Sequence, residues 1–135
     1  YVSPETSMKL AAVYACIYVI SSSVAQMPLH VMRKTNEHVQ PARDHPLFWL
    51  VHDEPNAWQT SYKWRELKQR HVLGWGNGYT WVKRNRRGEV TSLECCMPWE
   101  TTLLNTGGRH TYGVYNEEGA FAVSPDDMIH ILRLR

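Results

Sequence analysis

The stretch GWGNGYTWVKRNRRG, residues 74 to 88, sets three glycines at alternate positions and then runs into four cationic side chains. Glycines in such a run can cradle phosphate only when they follow a strand and open a helix, so that free N–H groups point out of the helix N-terminus. The order of elements around Gly74, Gly76 and Gly78 therefore decides both the fold and the chemistry. Upstream, SYKWRELKQRHVL (61–73) follows Thr60, a capping residue, and reads as a helix with Trp64, Leu67 and His71 on one side and Lys63, Glu66 and Arg70 opposite. Downstream, GYTWVKR (78–84) and EVTSLEC (89–95) are strand-like and are joined by the turn NRRG (85–88). The glycines thus come after a helix and before a strand, where the helix dipole has the wrong sign for phosphate. Neither G-x-G-x-x-G nor G-x-x-x-x-G-K-[ST] is present. The stretch predicts a helix stop at Gly74 in a left-handed conformation, a turn stabilised by Asn77, and then a β-hairpin.

Working outward, Ser3 and Pro4 predict the start of a long N-terminal helix. Val13, Ile17, Ile20 and Val24 form one stripe of it and Tyr14 and Tyr18 a second ridge, so nearly the whole circumference is apolar or small up to Ile20. Such a helix is central to a core or packs against another protein. Pro28 ends it, and PLHVMRK (28–34) alternates as a strand. Residues 35–45, polar and containing Pro41, predict a turn or exposed loop. HPLFWLVHDEPN (45–56) brackets a short helix with Leu47, Leu50 and Val51 on one face, closed before Pro55. After the hairpin, TTLLN, TYGVYNE, AFAVS and MIHILRL continue as short strands separated by GG, EEG and PDD. A long helix, two short helices and then antiparallel hairpins make an α+β fold, expected as a single domain over 1–135.

Composition narrows the function. Fifteen Lys plus Arg against thirteen Asp plus Glu give a formal +2, too little for nucleic-acid binding by bulk electrostatics. Three cysteines, without C-x-x-C spacing, argue against a disulfide framework and a zinc site and fit a reducing compartment. The apolar stretch from Leu10 to Ile20 falls short of the ~20 residues of a spanning helix and has no basic region before it, so neither a membrane span nor a signal peptide is expected.

His38, His45 and His52 recur every seven residues, but Pro41 and Pro46 break any helix between the first two. The last two would stand about 10 Å apart along a helix axis, too far for one metal. Asp53 with Glu54, and Asp126 with Asp127, are sequence neighbours that point apart and make poor acid/base pairs. No nucleophile or metalloprotease motif occurs, so no catalytic residue, metal or cofactor is assigned. Lys83, Arg84, Arg86 and Arg87 straddle the hairpin tip, where a two-stranded ribbon can enter a DNA groove. The plainer reading is a solvated turn, since no aromatic residue lies within it to stack on a base. Six tryptophans, Trp49, Trp58, Trp64, Trp75, Trp81 and Trp99, exceed what a small core encloses, which points to an interface. Tyr14, Tyr18, Trp58 and Trp75 are its candidate residues. Pro28, Pro55, Gly74, Gly76, Asn77 and Gly78 are candidates for architecture, each standing where a helix must stop.

Taken in series, AAVYACIYVISSSVAQMPLHVMRK (11–34), HPLFWLVHDEPN (45–56), GWGNGYTWVKRNRRGEVTSLECCMPWET (74–101) and DDMIHI (126–131) resemble the N-terminal part of tailed-bacteriophage portal proteins. The family pattern is an apolar helix closing on V-A-x-x-P-L, an H-P-L…P-N segment, a G-N-x-Y strand start, a G-x-V…L…P hairpin and a final I-H-I strand. The resemblance implies a structural role without an active site: a dodecameric ring at one capsid vertex, the head-tail connector through which double-stranded DNA is packaged and ejected. It implies as partners the ring's own copies, the major capsid protein, terminase and head-tail adaptors, and a place in the virion after synthesis in the host bacterial cytoplasm, with no membrane. It also implies a long stem helix and a clip after I-H-I, so the chain reads as the N-terminal wing region with stem and clip absent. On that reading, part of the Tyr14/Tyr18 ridge or one or more tryptophans should be exposed. Two readings of other classes stand beside it: a small nucleic-acid-binding α+β module using the Lys83 to Arg87 hairpin, and a small hydrolase with no recognisable motif.

Overall fold

Alternation along one strand organises the protein. In the computed structural model, which describes residues 4–133, strand β3 (Asn77–Arg84) lies between β4 (Val90–Cys96) and β8 (Met128–Leu132) in an antiparallel sheet of order β4-β3-β8. Because successive side chains point to opposite faces, Thr80 and Val82 face one way and Tyr79 and Trp81 the other. On the first face, Leu50, Trp64 and Leu93 form a buried cluster with Leu47, Val51, Val82 and Val90 packed around it. The buried Thr80 hydroxyl accepts from Trp64 Nε1 at 3.1 Å, so the indole N–H keeps a partner inside the core. On the second face, Tyr79 and Cys96 pack with Tyr112, Val114, Val123 and Met128, and with Trp81 and Phe121 at the margin. Tyr112, Val114 and Val123 belong to a second antiparallel sheet, β5 (Thr101–Thr106), β6 (Arg109–Asn116) and β7 (Gly119–Val123), with β6 central. The β3 sheet is therefore covered by helices on one face and by a sheet on the other, the α+β arrangement expected.

The helices are α1 (Pro4–Ala25), α2 (Pro46–His52) and α3 (Ser61–Trp75). The cap expected at Thr60 is present, and His45 supplies one for α2 that the sequence did not signal. His45 Nδ1 accepts from Leu47 N at 3.1 Å to open α2, and the Thr60 hydroxyl accepts from Lys63 N to open α3. The Ser3 cap expected for α1 lies outside the described residues. At its other end α1 packs on α3 through Ser21 and Ala25, both fully buried. Arg65 of α3 donates from Nε (3.2 Å) and Nη2 (2.6 Å) to the Ala25 carbonyl, placing a cation on the negative end of α1.

Between α2 and α3, the DEPN turn docks on the sheet. Leu93 N donates to the Pro55 carbonyl at 2.7 Å, and the buried Asn56 amide donates to the Leu93 carbonyl at 2.9 Å. Asn56 Oδ1 also accepts from Trp58 N and Gln59 N, so one side chain closes the turn and ties it to β4.

Several local expectations are corrected. The strand expected over 28–34 is confined to β1 (Met32–Lys34), and the loop expected over 35–45 contains β2 (Val39–Pro41), which pairs with β1. Pro41 is tolerated because that pair is a two-stranded ribbon in which each strand is an edge. The left-handed residue after α3 is Gly76, at φ +82°, and not Gly74, which is helical. The Gly76 N–H donates to the Val72 carbonyl at 2.9 Å, closing the last turn two residues later than expected. Gly78 serves a third purpose: a Cβ there would meet the Lys68 carbonyl oxygen and Val72 Cγ2, both at 3.2 Å, so a bare backbone lets β3 cross close beneath α3.

Candidate assembly surface

From Lys9 onward, the apolar face of α1 finds little cover among the described residues. Only Ser21 and Ala25 are buried and only Ile17, Ser22 and Val24 half-buried among residues 9–25. Tyr14 is 68% exposed and Tyr18 52%, with Leu10, Val13, Val19 and Ile20 exposed beside them. Ala25 lies on Arg65 and the Tyr18 ring lies 5.9 Å from the Arg70 guanidinium, so α1 runs antiparallel to α3. The Tyr14 turn accordingly lies toward the C-terminal end of α3, where Trp75 sits.

At that end Trp75 and Trp99 face each other at 5.1 Å between ring centroids, and both are more than half exposed. Beneath them His71 presents its ring to each indole edge-on, at 5.9 and 6.0 Å. His71 is 2% exposed and its Nδ1 has no hydrogen-bond partner among the described residues. Burial, with the Lys68 charge as a smaller contribution, pushes its pKa down to about 4, so the imidazole is neutral. A neutral ring supports the two indoles with an apolar edge where a cation would carry a desolvation cost. Trp99 was not among the candidate residues. Its position in the three-residue helical turn after Pro98 gave no periodicity to read.

Trp58 stands elsewhere, on the DEPN turn, exposed and with its Nε1 donating to Glu94 Oε2 at 3.2 Å. The four candidate interface residues are thus exposed but not in one place: Tyr14 and Tyr18 lie on α1, Trp75 closes α3 beside Trp99, and Trp58 borders the cleft between the two sheets. Trp49, on α2, is exposed as well.

The cationic hairpin is divided among separate roles. Lys83 Nζ lies 4.8 Å from the centroid of the Trp81 ring, and Arg84 is ion-paired to Asp127 at 2.8 Å while donating to the Gly88 carbonyl at the turn. Among the described residues Arg86 and Arg87 make no ion pair and lie exposed at the tip. Asn85 Oδ1 accepts from Arg87 N and Glu89 N and so holds the turn, within which no aromatic residue lies. His38, His45 and His52 do not converge: His38 is in the β1-β2 turn, His45 caps α2 and His52 stacks on Phe48. Among the described residues no group of three or more His, Cys, Asp or Glu is placed to hold a metal ion. No helix there is long and apolar enough to cross a membrane.

The sequence motifs meet at one polar junction. His130, the centre of I-H-I, stacks on Tyr79 at 4.5 Å and approaches Asn77 Oδ1 through Nε2 at 2.8 Å. Its Nδ1 lies 3.0 Å from the Tyr112 hydroxyl. Asn77 Oδ1 can only accept, so Nε2 carries the proton and Nδ1 accepts from Tyr112. The G-N-x-Y and I-H-I segments are therefore partners across β3 and β8, and Tyr112 extends the link to the second sheet.

Similarity to known proteins agrees with this arrangement. The family described as phage portal protein matches residues 11–134, nearly the whole chain. The portal protein of Enterobacteria phage HK97 is 30% identical over 135 residues, covering 96% of this chain and 31% of that protein. Protein BeeE of Escherichia coli (strain K12) is 29% identical over 92 residues, covering 68% of this chain and 58% of that protein. The chain spans about a third of the first relative and under two thirds of the second. An uncovered apolar helix, exposed tryptophans and a match running almost end to end lead to one conclusion: the chain belongs to the phage portal protein family.

Proposed function

We propose that this chain is the wing part of a portal subunit, which assembles into a dodecameric ring at one vertex of the capsid. The ring is the passage for double-stranded DNA during packaging and ejection and the junction between head and tail. Its role is structural and mechanical, with no catalytic residue and no cofactor. Its partners are further copies of itself, the major capsid protein, terminase and the head-tail adaptors, and its place is the virion after synthesis in the host cytoplasm. Stem and clip belong to parts of the subunit outside residues 1–135.

The observation that carries this reading is the exposed face of α1. A helix whose apolar side is largely uncovered from Lys9 to Ile20 is unstable as a free surface and is completed by another chain or another part of its own. A ring supplies such cover with two repeated patches, since a head-to-tail contact that closes uses the same pair around the circle. Family membership over 11–134 supports the same reading. The test is sedimentation of the complete portal subunit and of a Tyr14→Glu, Tyr18→Glu variant. Loss of the assembled species in the variant, with helical content retained, supports the proposal; assembly unaffected by two charges on the ridge contradicts it. A gel shift at moderate salt, abolished when Lys83, Arg84, Arg86 and Arg87 are changed to Ser, would favour the nucleic-acid module instead.

A further inference from the structure

We propose that Lys68 and Cys95 are the two ends of a peroxide-dependent covalent brace, an Nζ–O–Sγ link that joins α3 to β4. Lys68 is 3% exposed, in the middle of α3, and its ammonium has no carboxylate partner among the described residues. Its Nζ donates to the Tyr79 carbonyl and lies 2.9 Å from Cys95 Sγ, close to the separation that a single intervening oxygen spans. The position is over-determined. Gly78 lets the backbone of β3 approach the Lys68 carbonyl, which holds this turn of α3 directly over the strand pair.

The environment raises the fraction of the amine that is neutral and reactive, while the ammonium remains the charge that His71 meets. An unpaired charge inside protein is disfavoured, and burial drives the Lys68 pKa down, toward the neutral amine that can act as a nucleophile. Cys95 is half-buried, and Lys68 borders a cleft of about 320 Å³ between α1, α3 and β8, which brings a water-sized oxidant to the pair from the helix face. The neighbouring Cys96 does not compete. It pairs with Tyr79 where Cys95 pairs with Thr80, so the two thiols point to opposite faces of β4, and burial pushes the Cys96 thiol up to about 11.

Hydrogen peroxide is the oxidant, and two equivalents close the balance. In the first, Cys95 sulfur attacks one peroxide oxygen; the O–O bond breaks, sulfur loses two electrons, and sulfenic acid and water result. In the second, the neutral Lys68 nitrogen attacks a peroxide oxygen, giving the hydroxylamine and water. The hydroxylamine oxygen then displaces hydroxide from the sulfenyl sulfur, which forms the O–S bond and releases a third water. Thiol, amine and two peroxides thus become the linked pair and three waters. The product ties residues 27 apart in sequence, closing a loop that includes the C-terminal half of α3, β3 and most of β4. A cross-link of that kind stabilises by restricting the unfolded chain.

Peroxide treatment of the folded protein, followed by intact-mass measurement and peptide mapping without reductant, tests the proposal. The expected result is a species heavier by one oxygen and lighter by two hydrogens, with Lys68 and Cys95 in one linked peptide that separates on treatment with dithiothreitol. Its melting temperature should exceed that of the untreated protein, and Lys68→Arg and Cys95→Ser should lack the linked species. Cys16 is exposed on α1 and oxidises independently, so the measurement is made on a Cys16→Ser background. Cys95 recovered only as sulfinic or sulfonic acid, with Lys68 still cleaved by trypsin, would overturn the proposal. Should either variant fail to fold, the peptide map of the parent decides alone.

Discussion

The His130 imidazole donates from Nε2 to the Asn77 side-chain oxygen, 2.8 Å away, across 53 residues of sequence. This bond joins the strand that opens after α3 to the last strand of the sheet, and the acceptor bond from Tyr112 to Nδ1 extends it to the second sheet. Replacing His130 by Phe keeps a ring against Tyr79 but leaves Asn77 Oδ1 and the Tyr112 hydroxyl unpaired in a half-buried site. The expected loss is about 2 kcal/mol, read from the midpoint of a urea melt. A midpoint equal to that of the parent would mean that both groups find water without cost.

Acid should destabilise the fold through the same class of residue. His71 has a folded pKa of about 4 against an ordinary value of 6.5, and burial lowers His130 as well. For a base whose folded pKa is depressed, the unfolded chain binds the proton first. Stability is then fully present above the unfolded pKa and is lost as pH falls toward the folded one. Between about pH 6.5 and about pH 4 the His71 contribution should fall by roughly 3 kcal/mol. Melts across this range should show the slope, and His71→Phe should flatten it, since a phenyl ring keeps the edge contacts with Trp75 and Trp99 and carries no proton.

Gly74, Gly76 and Gly78 look alike in sequence and should respond differently. Gly76→Val forces a β-branched residue to φ +82° and should cost at least ~1 kcal/mol. Gly74→Ala places a methyl in a helix with nothing within 4 Å and should be neutral or stabilising by up to ~1 kcal/mol. Gly78→Ala should destabilise because its methyl meets the Lys68 carbonyl at 3.2 Å. Thermal melts of the three variants give the order, and Gly74→Ala ranking lowest would contradict it.

That distinction marks how much was legible in the sequence. The hairpin around Asn85–Gly88, the Thr60 cap, the helix between His45 and Pro55 and the four later strands followed from local signals, because turn and cap chemistry are set within a few residues. Which glycine ends α3 was not legible, since either could adopt the left-handed conformation and packing of β3 chose between them. The face of α3 was only partly legible. Leu67 is half-buried, whereas Glu66 and Lys68 are buried, because α1 and the sheet both pack on this helix and leave it no single polar side. For the candidate surface, composition signalled surplus tryptophan, but only the tertiary arrangement pairs Trp75 with Trp99 and strips α1 of cover.

Electron microscopy of the complete portal subunit shows whether this chain helps to build a closed ring. Ring-shaped particles with a central channel are expected, lost when Tyr14 and Tyr18 are both changed to Glu. A complete subunit that stays monomeric at high concentration would contradict that expectation, and so would rings untouched by those two charges.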